Sequence, residues 1–260
     1  MDAKSIQLLT GINVLLALMI IASFFLAVAI RECGHALMAY WLGDNTPIQE
    51  GRLTLGLRSH LDSVGTLLCV ILAFQPLLAA PVGLGWGKPV KPDPWKLRFG
   101  ADKGVFLVAL AGLLSSLIVG LVIAAIARLL APFLLAVGSP IMPYVVQLLV
   151  VFANVNIAMA IFNILPIYPL DGYQMLYSVL PSKQAVQFAK SAPYGPFIIL
   201  IIFFLVPFIA SLLHLDEIPY LGLLFHLSRL IWLLSSLLIG LVGGGDLPAY
   251  YVNPYQGPLL

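Results

Sequence analysis

Charge is what this sequence has least of: 9% of its 260 residues are Asp, Glu, Lys or Arg, against roughly 25% in an ordinary soluble domain. With 61% of the chain apolar, the bilayer is its solvent, and the apolar runs with their connecting loops leave no mass for a separate soluble domain. The formal net charge of +2 comes from basic residues scattered over loops, which excludes nucleic acid as a partner. Only two cysteines are present, Cys33 and Cys69. Both lie in apolar stretches, so no disulfide framework is expected and the redox compartment is left open. A cleavable leader is not expected either, because the apolar run after Lys4 exceeds the usual 7–15 residues of a signal peptide and lacks a clear cleavage site. There are no convincing tandem repeats, and the Pro-rich piece from Lys88 to Pro94 reads as a stiff spacer loop.

What is there is a series of long apolar segments in one domain, 1–260. Leu8 to Leu42 contains no proline and predicts a continuous helix that Gly43, Asp44 and Asn45 stop. Val105 to Ile126, Val145 to Leu165, Phe197 to Leu213 and Leu221 to Val242 are long enough to span. In the first of these, Gly112, Ser116 and Gly120 form a small-residue stripe suited to close helix packing. Val64 to Leu84 is apolar but broken by Pro76 and Pro81. Gly51 to Leu57 alternates Leu53, Leu55 and Leu57 with polar residues and predicts a short strand, whose free edge is suited to holding an extended peptide. His226 and Arg229 share a helix face and read as an interior polar pair or a snorkelling Arg.

Two pieces carry chemistry. Arg31-Glu-Cys-Gly-His35 differs at one position from H-E-x-x-H, the helical arrangement that sets two imidazoles one turn apart around zinc with the Glu as general base. Alone, Glu and His three apart are equally a polar packing pair; three ionisable residues within five positions of an apolar helix nonetheless face a bundle interior or a wet cavity. The second piece, Phe162-Asn-Ile-Leu-Pro-Ile-Tyr-Pro-Leu-Asp-Gly172, ends an apolar helix at Pro166 and Pro169 and presents Asp171 on irregular backbone. Pro-Leu-Asp-Gly is also an ordinary turn sequence.

Together the two pieces resemble the site-2 protease family of intramembrane zinc metalloproteases, which joins H-E-x-x-H on one membrane helix to N-x-x-P-x-x-x-L-D-G on another. Asn163, Pro166, Leu170, Asp171 and Gly172 match the second pattern. Ala39 to Asp44, Gly51 to Leu55, His60 to Asp62 with Gly65, and Gly85 to Val90 look like the compact bacterial branch without PDZ domains. The resemblance implies zinc as cofactor, His35 and Asp171 as ligands and Glu32 as general base. It also implies that Asn163, with Gly51, Leu53 and Leu55, holds an unwound substrate. The family's first ligand histidine falls on Arg31, and a guanidinium has donors only and cannot ligate a metal. Arg31 is one turn from His35 on the same face, so it is expected to pair with Asp171 or Glu32 and leave a folded, inert site. His60 is the loop residue that would supply a replacement ligand. Ala111-Gly-Leu-Leu-Ser-Ser116 departs from the family's A-G-P-x-x-N at Leu113 and Ser116.

If Val64 to Leu84 crossed the membrane, His35 and Asp171 would lie on opposite faces, so it is expected to be re-entrant. Arg52, Arg58, Lys88, Lys91, Lys96, Arg98, Lys103, Lys183 and Lys190 then gather on one side, leaving Lys4 and Arg128 on the other, which makes the site side cytoplasmic. The expectation is therefore an all-α polytopic membrane protein of five to six transmembrane segments, with a protease-like core over about 8–180 and C-terminal helices over about 197–242. Its place would be a bacterial cytoplasmic membrane, its partners lipid and a transmembrane-helix substrate. A non-catalytic protein that captures such helices uncut is the alternative. A transporter, lacking inverted repeats, ranks third.

Overall fold

The computed structural model describes residues 3–54, 56–74, 82–215 and 227–252. Helix α1 (Ala3–Trp41) follows from the proline-free apolar run and is stopped by Gly43 at φ +103°. There the Gly43 amide donates to Tyr40 O and the Asp44 amide to Ala39 O, both at 2.9 Å, which satisfies the last carbonyls. α2 (Ser63–Phe74), an irregular stretch that is described from Val82, α3 (Ala101–Ala136) and α4 (Met142–Asn163) come next. After the Pro166–Pro169 turn come α5 (Asp171–Val179), α6 (Ser182–Ala189), α7 (Gly195–Leu200), α8 (Val206–Leu212) and α9 (Leu227–Gly243). A π-turn at Ile201–Leu205 joins α7 to α8, and its wider turn accommodates Pro207, whose ring would otherwise meet the carbonyl four residues back.

Among the described residues, four segments are long and apolar enough to cross a membrane: Val14–Trp41, Ala101–Ala136, Met142–Asn163 and Ser182–Leu212. α4 is the axle. It packs against α1, α3 and α9, and 72% of its span is buried within the protein, compared with 33% for α3. Such burial on every side requires small residues where backbones approach. A Cβ on Gly120 would lie 2.5 Å from Ile157 Cγ1, so that part of the expected small-residue stripe serves α3–α4 packing. Gly112 serves the site instead, as shown below.

α2 has 12 residues, about 18 Å at 1.5 Å per residue, short of the roughly 30 Å hydrocarbon core. Its start lies beside the chain that follows it. Leu61 and Gly87 form an antiparallel bridge, the Lys88 amide donates to His60 O at 2.6 Å, and a Cβ on Gly65 would stand 2.2 Å from Trp86 O. Pro76 and Pro81 lie outside the described residues, as do Leu55 and His226.

One expectation is corrected. Among the described residues of Gly51 to Leu57 there is no strand: Gly51 to Thr54 form turns and bends and Leu57–His60 is a single helical turn. The leucine alternation had no neighbouring strand to pair with, and a lone strand leaves its amides unbonded. The last helix, α9, runs antiparallel to α4. α9 begins at the site end, where Ile231 packs with Phe162 and Trp86, and ends at the far end, where a Cβ on Gly243 would lie 3.4 Å from Ala124 O. A bond from Asn154 Nδ2 to Ser235 Oγ at 2.8 Å fixes this alignment.

The turn Leu247–Tyr251 then folds back into the core. Tyr251 is fully buried with its ring 6.1 Å from that of Trp232, and its carbonyl accepts from Gln147 Nε2 at 3.0 Å. Tyr251→Ala is expected to cost about 3–5 kcal/mol, read as a lowered midpoint of thermal unfolding in detergent; an unchanged midpoint would show that this turn is not part of the folded core.

Candidate active site

Three elements deliver the site. α1 carries Arg31, Glu32 and His35, α4 ends on Asn163, and α5 begins with Asp171. Pro166 and Pro169 make this possible, since they stop α4 and turn the chain so that α5 starts against α1. Gly172 completes the turn: a Cβ there would stand 2.0 Å from Ile164 O. All five side chains are buried.

The contacts are specific. Arg31 Nη2 donates to Glu32 Oε1 at 2.7 Å, and Arg31 Nη1 donates to Asp171 Oδ2 at 3.2 Å and to Asn163 Oδ1. Asn163 is itself held by its Nδ2 donating to Met159 O at 2.7 Å. His35 stands between the carboxylates, with Nδ1 3.4 Å from Glu32 Oε2 and Nε2 3.2 Å from Asp171 Oδ1. The second contact is close without hydrogen-bond alignment, so His35 Nε2 is a buried nitrogen with no hydrogen-bond partner. Glu32 Oε2 also accepts the Val90 amide at 3.1 Å.

Two positioning features are invisible to motif reading. A Cβ on Gly112 would lie 1.7 Å from His35 Nε2, so only glycine on α3 leaves room for the imidazole. The Val90 amide orients Glu32 from the irregular stretch after α2. That stretch is tied to the end of α1 through Asp44, which accepts the Thr46 amide at 2.9 Å and the Asp93 amide at 2.7 Å. Burial would raise the Asp44 carboxyl, but the bonds from Thr46 and Asp93 and the charge of Lys96 outweigh it and hold Asp44 below the usual carboxylate range.

A cavity of about 590 Å³ opens beside His35 and Asp171, walled by Pro89 to Pro92, Val105 and Val108 of α3, Tyr168, and Gln174 and Tyr177 of α5. Gly51 and Leu53 do not line it. His60 is buried with its ring against Thr54 O and does not join the cluster. Cys33 points away, donating to Thr54 O at 3.0 Å.

Does this set fit zinc? Two ligands 2.0–2.1 Å from a tetrahedral centre lie about 3.3–3.4 Å apart, close to the 3.2 Å between His35 Nε2 and Asp171 Oδ1. The unpartnered His35 nitrogen also suits a metal. The third place is taken by the Arg31 guanidinium, a fixed cation with no lone pair to give. The chain as written does not fit a three-ligand zinc centre, and among the described residues no group of three His, Cys, Asp or Glu is arranged to hold a metal ion.

Comparison with known proteins points the same way as the motifs. The chain is 28% identical over 188 residues to a Bacillus subtilis (strain 168) protein named "Putative zinc metalloprotease YwhC", a match covering 72% of this chain and 80% of that one. No family model matches, and no solved structure matches. The relative supports a site-2 protease-like family for this integral membrane protein.

Proposed function

We propose that this chain is an intramembrane zinc metalloprotease scaffold, built to hydrolyse peptide bonds in membrane-embedded segments and silenced at Arg31. The observation that carries the reading is the convergence of Glu32, His35, Asn163 and Asp171 from three helices, with Arg31 where the third ligand would stand. In the parent chemistry zinc polarises the scissile carbonyl. The residues of this chain supply the rest. With the metal bound, Glu32, oriented by the Val90 amide, would take the proton of the attacking water, and Asn163, released from Arg31, would offer its side-chain oxygen to the unwound strand. Unwinding is required because helical carbonyls are already bonded.

The scaffold would lie in a bacterial cytoplasmic membrane with the site near the cytoplasmic face. The segment from Val64 to Leu84 would dip in and return, a reading supported by the bridge between Leu61 and Gly87. The cavity beside the site favours a second reading, a non-catalytic protein that captures membrane helices uncut.

Incubating the purified chain with a panel of membrane-helix substrates, each with a photo-crosslinker at its centre, tests both readings. The expected result is crosslinks to the Pro89–Pro92 or Tyr168–Tyr177 walls with no cleavage. Cleavage by the chain with Arg31 in place would overturn the silencing, and crosslinks confined to the lipid-facing surface would overturn the cavity as the binding place.

A further inference from the structure

Arg31 is more than a missing ligand. It is among the largest fully buried side chains of the protein, with 1% of its surface exposed, and it lies next to two buried carboxylates. In the resemblance on which the proposed function rests, a divalent metal would offset those two negative charges. An uncompensated carboxylate inside a membrane protein is strongly unfavourable, so a chain that has lost the metal should also lose much of its stability unless another cation takes its place. Here one does. The guanidinium reaches Glu32 on its own helix and Asp171 at the start of α5, and contacts Asn163 at the end of α4.

We infer that Arg31 is a built-in substitute for the metal's charge, which makes the fold metal-independent and clamps the junction of α1, α4 and α5. The geometry fits a clamp better than a passive replacement. Asp171 Oδ2 and Glu32 Oε1 are held by different nitrogens of one guanidinium, and planar, fixed forks are what Arg provides and Lys does not. The three elements so joined have no disulfide, both cysteines being free. Among the described residues two ion pairs link α1 to α5, Arg31 with Asp171 and His35 with Asp171, and of the two cations only the guanidinium also reaches Asn163 at the end of α4.

The test is thermal unfolding of the full-length protein in detergent, with and without a chelator. The chain as written should show the same midpoint under both conditions. Arg31→Met should lower the midpoint by about 10 °C, the loss expected from removing one partner of a buried ion pair in a chain of this size. Glu32→Gln and Asp171→Asn added to Arg31→Met should recover most of that loss, because no uncompensated charge is left. Arg31→His should be destabilised by chelator and restored by zinc. Three results would overturn the inference: Arg31→Met as stable as the parent, a triple variant no better than Arg31→Met, or a parent midpoint lowered by chelator. Zinc failing to stabilise Arg31→His would instead overturn the metalloprotease reading, while the first two variants still report on the guanidinium alone.

Discussion

Arg31→His is expected to give a protein that holds about one zinc and cleaves membrane-helix substrates, and adding Glu32→Gln to it should abolish cleavage while leaving the metal in place. The substitution puts an imidazole where the guanidinium now contacts Asn163 and Asp171, one helical turn from His35 on the same face. With His35 and Asp171 already 3.2 Å apart, a third ligand completes a set of the kind that catalytic zinc sites use. Glu32 is not needed as a ligand; it loses its bond to Arg31 and keeps the Val90 amide and the His35 contact. A carboxylate held beside the reacting water is a proton acceptor, and general-base catalysis is typically worth about 10²–10⁴-fold. Glutamine preserves shape and removes that basicity. Single-turnover cleavage with parallel metal analysis separates the outcomes. A zinc-loaded Arg31→His protein that cleaves nothing would move the function to helix capture and place further damage at Leu113 or Ser116.

The second large effect belongs to a residue with no side chain. In the Arg31→His background, Gly112→Ala should weaken zinc binding by about 10–100-fold, the range seen when groups that orient ligands are altered. The added Cβ would sit 1.7 Å from His35 Nε2 and 2.1 Å from Cδ2, so the ring or α3 has to move. The ring has little room to move, being buried and held by Glu32 through Nδ1. Moving α3 would strain its contact with α1 at Gly34, where a Cβ would already lie 2.5 Å from Ser115 Oγ. Competition titration with a metal indicator reads the affinity. Gly245→Ala, at a position with open space around its missing Cβ, controls for general loss of fold, and a Gly112→Ala protein with unchanged zinc affinity would show that the ring escapes the clash.

Much of this was legible in the residues. Uninterrupted apolar runs gave α1 and α4 to within about five residues and α3 except for its last ten, because in a bilayer a long apolar stretch has no alternative to the helix. That Glu32, His35, Asn163 and Asp171 belong to one site was the expectation drawn from the family resemblance of their two motifs, and the structure brings the four side chains together. Arg31 was readable as a cation in a ligand's place, though its reach to Asn163 was not. The Gly51 to Leu57 strand failed for a physical reason: alternation describes a strand only where a partner exists, and here the neighbouring chain pairs at Leu61 and Gly87 instead. The direction of α9 was not readable, because a hydropathy run carries no polarity; the Asn154–Ser235 bond and the burial of Tyr251 decide it. Gly112 was read as packing because a glycine's meaning lies in what faces it from another helix.

Zinc per chain in the protein as written, purified in mild detergent after growth with added zinc, tests the central claim most directly. Arg31 in the ligand place predicts a content far below one equivalent, rising to about one in Arg31→His prepared alongside and falling again when Asp171→Asn is added to it. A near-stoichiometric zinc content with Arg31 present, lost on Asp171→Asn, would contradict the account, because it would mean that the guanidinium yields the locus to the metal.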